Sequence, residues 1–170
     1  MSSGLPLLVL MGVSGAGKST VGALLAERLG SPFLEGDALH PAANVRKMRA
    51  GVPLTDIDRR DWLAALAQRL EDAVRTGRGL VVACSALKRA YRDMLREHAP
   101  GVLFVHLSGS PALLEERLAR RHDHFMPPSL LDSQLATLEP LAPDEHGFSV
   151  SIEQRPLEIV EEIVRRTGIS

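Results

Sequence analysis

The stretch "VLMGVSGAGKSTVG", residues 9 to 22, limits the fold of this chain more than any other part of it. An apolar run ends in a glycine-rich loop, and a lysine and two hydroxyls follow. Residues 12–19 complete the pattern G-x-x-x-x-G-K-[ST], whose glycines let successive backbone N–H groups turn inward onto phosphate oxygens. The pattern works only between a strand and a helix, because the helix adds its positive end to the cradle. Here an apolar run precedes the loop, and Val21, Leu24, Leu25 and Leu29 fall on one helical face after it. A glycine-rich turn that merely precedes a helix is the bland alternative, and this context argues against it. The loop is therefore read as a holder of nucleoside triphosphate. Gly12, Val13, Ser14, Gly15, Ala16, Gly17, Lys18, Ser19 and Thr20 form the cradle. Lys18 reaches the β- and γ-phosphates, and Ser19 supplies an oxygen to Mg²⁺.

The rest of the chain is spaced to fit. Short apolar runs at "LPLLVLM", "PFLEG", "GLVVAC", "VLFVHL" and "FSVSI" read as five buried strands. Helical spacing separates them: from Arg59 to Thr76 (Leu63, Leu66, Ala67, Leu70, Val74), after Ser110-Pro111 (Leu113, Leu114, Leu118), and from Pro156 (Leu157, Val160, Ile163, Val164). Alternating strands and helices imply parallel pairing, hence an α/β fold built as a three-layer α/β/α sandwich. Its ligands sit at the carboxyl ends of the strands. That places residues 12–19, 35–40 and 84–88 together. With 170 residues, 45% of them hydrophobic, a single domain over residues 1–170 is expected. Within it, residues 40–76 form a helical insert that caps the substrate. The net charge of −1 provides no basic field for nucleic acid, and no apolar run approaches the ~20 residues of a membrane span. One cysteine, Cys84, excludes an internal disulfide framework and suits a reducing compartment, so the expected location is cytoplasmic.

A regulatory GTPase requires an N/T-K-x-D motif after a later strand, and none is present. "CSALK" imitates a GTPase element but follows the third strand, and "LSGSP" begins a transporter-ATPase signature without completing it. The compact length favours a small kinase whose second substrate lies under the cap. Asp37, just beyond the second strand, is placed to accept a proton from a hydroxyl or to orient Mg²⁺ through water; a loop or capping carboxylate is the alternative. His40 hydrogen-bonds a polyol or packs before Pro41. Arg46, Lys47, Arg49, Arg59 and Arg60 taken singly are more often solvated helix charges than ligands. Cys84 and Trp62 read as core residues rather than chemistry.

Taken together, "GVSGAGKST", "GDALHPAANVRKM", "GVPLTDIDRRDWL", "CSALKRAYRDMLR" and "HFMPPSLLDSQLATLEPL" resemble the gluconate kinases of the P-loop small-kinase group. The first motif is common to many kinases; the second, fourth and fifth together are specific. The resemblance implies ATP-dependent phosphorylation of D-gluconate to 6-phosphogluconate by a homodimeric cytoplasmic enzyme. It also implies a parallel sheet of order 2-3-1-4-5 with a lid, here residues 121–128. Asp37 then orients or deprotonates the acceptor. Arg49, Arg59 and Lys88 are candidates for the carboxylate and polyol, joined by His40, Ser85 and His124. Arg120 and Arg121 close on the transferring phosphate, although Glu116, four residues earlier, offers Arg120 a helical ion pair instead. Arg117 and Arg155 complete the ATP set. Where relatives carry an aspartate at the end of the last strand, this chain has Ser151 or Ile152 beside the expected adenine site. A shikimate-type kinase, a nucleoside monophosphate kinase and a nucleotide switch without metabolic turnover stand as alternatives.

Overall fold

The computed structural model describes residues 6–120 and 128–169. In chain order its elements are β1 (Leu7–Met11), α1 (Lys18–Leu29), β2 (Phe33–Glu35), a 3₁₀ turn (Gly36–Leu39), α2 (Ala42–Arg49), α3 (Asp56–Thr76) and β3 (Leu80–Ala83). They continue as α4 (Arg89–His98), β4 (Leu103–Ser108), α5 (Pro111–Ala119), α6 (Pro128–Thr137), β5 (Gly147–Ser151) and α7 (Pro156–Thr167). All strand pairs are parallel, in the order β2-β3-β1-β4-β5. This is the order expected above.

β1 shows why both faces are covered. Leu8 and Leu10 point into one core with Val21, Leu25, Ile159 and Ile163, whereas Val9 and Met11 point into the other with Trp62, Leu66, Leu70 and Leu95. An alternating strand that is apolar on both sides requires a helical layer on each. α1, α5, α6 and α7 supply one layer, and α3 and α4 the other.

Three details differ from the spacing argument. α3 starts at Asp56 rather than Arg59, because Thr55 accepts from the Asp58 N–H while the Asp58 carboxylate accepts from the Thr55 N–H. This reciprocal cap extends the helix by most of a turn ahead of its apolar stripe. Val74 and Leu157 are exposed, and Ala73 and Ile159 take the inward positions. α4 and α6 carry only a thin apolar stripe, so the spacing argument does not reveal them.

α4 carries the main buried ion pair. The Arg92 and Glu145 side chains are both fully buried and joined by two hydrogen bonds, Nε–Oε1 at 2.8 Å and Nη2–Oε2 at 2.9 Å. Arg92 Nη1 also donates to the Ala86 carbonyl at 2.8 Å, while Arg96 and the Ala142 N–H donate to Glu145. Ala86 has φ 45°, a left-handed conformation that costs a non-glycine residue energy unless its surroundings hold it. The Arg92 guanidinium is that hold. Burial opposes ionisation of Glu145, but the hydrogen bonds from Arg92, Ala142 and Arg96 outweigh it and leave the carboxyl at about 2.

Arg92→Ala would leave the Glu145 charge buried beside one remaining guanidinium, so unfolding by denaturant should show a loss of about 3–5 kcal/mol. The carboxyl is more acidic folded than unfolded. Its stabilising contribution is therefore complete above the unfolded value near 4.5 and fades as pH falls from there toward about 2. Stability measured against pH in Glu145→Gln should lose that part of the acid dependence.

Candidate active site

The phosphate loop joins β1 to α1. Gly15 (φ 87°) and Gly17 (φ 92°) adopt conformations that residues with a Cβ avoid, and they turn the backbone around the cradle. The Gly12 N–H donates to the Ser85 carbonyl at 3.2 Å, tying the loop to the turn after β3. At α1 no side chain caps the helix and no acidic residue occupies its first turn. The contrast with the doubly capped α3 is chemical: the start of α1 keeps its amide donors and its positive end for an anion.

Two pockets meet at this loop. The larger is lined by residues 14–21 together with Glu35, Asp37, Arg117, Arg120, Gln154, Pro156 and Ile159. The smaller is lined by Ser14, Lys18, Asp37, His40, Met48, Pro53, Leu54, Arg59, Ser85, Leu87, Leu130, Ser133 and Gln134. Ser14, Lys18 and Asp37 line both. Lys18 Nζ donates to the Val13 carbonyl at 3.0 Å, and Ser19 Oγ meets the Glu35 carboxylate. Gly12 and Val13 anchor the loop and do not line the larger cleft.

The 3₁₀ turn brings Asp37 to the shared boundary. A Cβ at Gly36 would lie 2.5 Å from the Ala83 carbonyl, so only glycine lets the chain turn this close to β3. The Gly36 carbonyl accepts from Trp62 Nε1 at 2.8 Å. Trp62 is thus the core anchor expected of it, and it also stacks on His40, with ring centroids 4.4 Å apart and planes inclined by 12°. Burial holds the His40 ring below its ordinary pKa; Asp37 opposes this and Arg59 adds to it.

The candidate cations separate. Arg59 lines the smaller pocket, its Nη1 donating to the Tyr91 hydroxyl at 2.9 Å. Lys88 donates to Asp56 at 3.0 Å and does not line the pocket; hydrogen bonds from Tyr91 and Lys88 hold Asp56 below the usual carboxylate range. Arg49 is exposed at the end of α2 and also lies outside the lining. Ser85 lines the pocket, and its carbonyl holds the phosphate loop.

On the nucleotide side, Arg117 lines the cleft and donates to the Ile152 carbonyl at 2.6 Å. β5 ends at Ser151, and Ile152 is buried, so what that position offers is its backbone carbonyl, taken up by Arg117. Arg120 lines the cleft while forming the ion pair with Glu116 that the spacing allowed. Arg155 is exposed at the start of α7, in a shallow depression next to Arg117 and Gln154 rather than in the cleft. Arg121 and His124 lie outside the described residues, as does the lid apart from Pro128.

Several residues here carry no sequence signal of their own: Tyr91, Ser133, Gln134 and Gln154. Gln134 is the most informative, because its Oε1 accepts the Ser14 N–H at 2.7 Å and so links α6 to the phosphate loop. Its polar neighbour Ser133, and its place one turn after the buried Leu130 and Leu131, were the available hints.

A phosphate loop with a second pocket opening onto the same lysine defines the class: a P-loop kinase. The AAA domain family model matches residues 7–141. The chain is 54% identical over 158 residues to gluconokinase of Gluconobacter oxydans (strain 621H), covering 93% of this chain and 89% of that protein. Among solved structures it is similar to a gluconokinase from Sinorhizobium meliloti 1021, with a TM-score of 0.88, 51% identity and coverage of 96% and 92%. An unliganded sugar kinase from Janibacter sp. HTCC2649 superposes with a TM-score of 0.93 at 44% identity, covering 97% and 95%. The chain belongs to the gluconokinase family.

Cys84 sits beneath this site, wholly buried, and burial pushes its thiol up to about 12. Near neutral pH a thiol reagent should leave the native protein unmodified and titrate its one cysteine only after denaturation.

Proposed function

We propose that the protein transfers the γ-phosphoryl group of ATP to D-gluconate, giving 6-phospho-D-gluconate and ADP. The observation that carries this reading is the shared boundary: Ser14, Lys18 and Asp37 line both pockets, so a phosphate in one faces a hydroxyl in the other. Membership of the gluconokinase family supports the choice of acceptor.

The roles follow from chemistry and position. A primary hydroxyl is a weak acid, so most of the rate comes from alignment and charge neutralisation. The loop amides and Lys18 hold the β- and γ-phosphates. Asp37 orients the attacking hydroxyl and takes its proton as the new O–P bond forms and the bond to ADP breaks. Arg59, aimed by Tyr91, meets the gluconate carboxylate, and His40, Ser85 and Gln134 bind along the polyol. Arg120 leaves Glu116 for the transferring phosphate, a contribution of ~10³ or more in rate for residues of this kind. Arg117 borders the nucleotide, and Arg121 and His124 belong to the lid. Arg49, Lys88 and Arg155 join only if the cap or α7 moves.

The residues present suit Mg²⁺. Ser19 Oγ and the Glu35 carboxylate form a pair of hard oxygen donors at the mouth of the cradle, the few-ligand arrangement an ion shared with phosphates needs. When bound, the ion neutralises charge on the β- and γ-oxygens. The reading also takes the enzyme to be a cytoplasmic homodimer folded as one domain, as the resemblance implies.

The test is ADP release from Mg²⁺-ATP with D-gluconate, related sugar acids, shikimate, AMP or no acceptor. Release that depends on gluconate, with 6-phosphogluconate as product, is the expected result. Release with another acceptor overturns the substrate, and no acceptor-dependent release overturns the kinase reading. Lys18→Ala should remove nearly all transfer, at least 10³-fold, with an unchanged thermal midpoint. Asp37→Asn should lower kcat by 10²–10⁴-fold while the affinity for ATP changes little, as steady-state kinetics and nucleotide titration would show.

A further inference from the structure

The His40 side chain, 4% exposed, lies at the junction of α2, α3 and the 3₁₀ turn, and its ring is fixed from one side by a residue outside the pocket. Asn44, one turn further along and only 4% exposed, places its Nδ2 3.2 Å from His40 Nδ1 and 2.7 Å from the Asp58 backbone carbonyl. A carbonyl only accepts. The atom facing it must therefore be the amide nitrogen, which settles the orientation of the Asn44 side chain. The second hydrogen of that nitrogen is directed at His40 Nδ1, which must accept it through a lone pair. A hydrogen on Nδ1 would set two donors against each other in a buried place.

The ring hydrogen is thereby confined to Nε2. That atom lies 4.0 Å from Asp37 Oδ1, too far for a hydrogen bond and close enough for one hydroxyl oxygen to reach both groups. A hydroxyl accepts and donates at once. It can take the Nε2–H and give its own hydrogen to the carboxylate. Asp37 from the 3₁₀ turn and Arg59 from α3 are the charged groups bearing on the ring, and they act in opposite directions.

We propose that Asn44 is a positioning residue that locks His40 in its neutral Nε2–H tautomer, so that His40 and Asp37 grip a single hydroxyl of the acceptor as donor and acceptor. The proposal rests on assigning the smaller pocket to a polyol acid. A pocket with a fixed donor and a fixed acceptor on one hydroxyl discriminates against an acceptor lacking it, because both groups are then left unpaired.

Two measurements test it. In the wild-type protein without substrate, ¹⁵N NMR of the His40 ring, assigned by its loss in His40→Gln, should show a protonated Nε2 and an unprotonated Nδ1. A protonated Nδ1 or a mixture of tautomers overturns the lock. Kinetically, Asn44→Ala should lower kcat/KM for gluconate about tenfold, the equivalent of one hydrogen bond, while KM for ATP stays unchanged. Glutamine at position 40 keeps a donor near Nε2 and has no tautomer to choose. His40→Gln should therefore retain more activity than His40→Ala, and adding Asn44→Ala to His40→Gln should cost nothing further. An equal loss in both backgrounds would mean that Asn44 only supports the fold and would overturn the proposal. Should Asn44→Ala fail to fold, Asn44→Gln with the same double-mutant comparison takes its place. Gluconate turnover by the wild type separates the two ideas: without it the acceptor assignment falls, whatever the ring tautomer.

Discussion

A loop that must keep amide hydrogens for an anion has few left with which to hold itself together, so most of its shape has to come from its neighbours. Here it does. The Gly12 N–H is spent on the Ser85 carbonyl, Gly15 packs against Leu114 and Leu118, and Ser14 is held by Gln134. The phosphate cradle is thus braced from β3, α5 and α6 while its inner face stays open. The brace at Ser85 depends in turn on a left-handed alanine next to it, and that alanine on a buried guanidinium. The geometry at the phosphates is the end of a chain of packing interactions, most of them remote from any ligand.

The acceptor side is organised by sorting charge. Two cations on this side of the molecule are already spoken for: Lys47 of the cap by Asp58, and Lys88 after β3 by Asp56. Arg59 is held differently, by a neutral phenol whose own hydroxyl is directed to Asp56. A phenol orients a guanidinium without cancelling its charge. That distinction, more than the number of arginines, separates a cation available to a carboxylate from one engaged in holding the fold.

What could be read in advance follows the same line. The strands and the phosphate loop were legible because each is a local pattern, an apolar run or a fixed spacing of glycines and lysine. Asp37 and His40 were legible because they stand next to a strand end. Tyr91 and Gln134 were not, since each enters the site through a partner 32 or 120 residues away and each alone is an ordinary polar side chain. Arg92 was the hardest. An arginine in a short amphipathic helix reads as solvated, and only the arrival of Glu145 makes its complete burial tolerable. The choice among Arg49, Arg59 and Lys88 was equally out of reach of spacing, because it turns on which of them lines the pocket and on the claim of Asp56 on Lys88.

The Arg92–Glu145 pair also carries a timetable. Its two halves are separated by 53 residues, and Glu145 stands two residues before the start of the edge strand β5. During synthesis the β1 loop and the Ser85 turn leave the ribosome long before the carboxylate that secures them. Until Glu145 arrives, Arg92 has no counter-ion and the left-handed Ala86 has no reason to persist. A nascent chain holding every nucleotide-contacting residue of the phosphate loop therefore still lacks a finished acceptor wall. Competence is conferred late, by a residue that touches neither substrate.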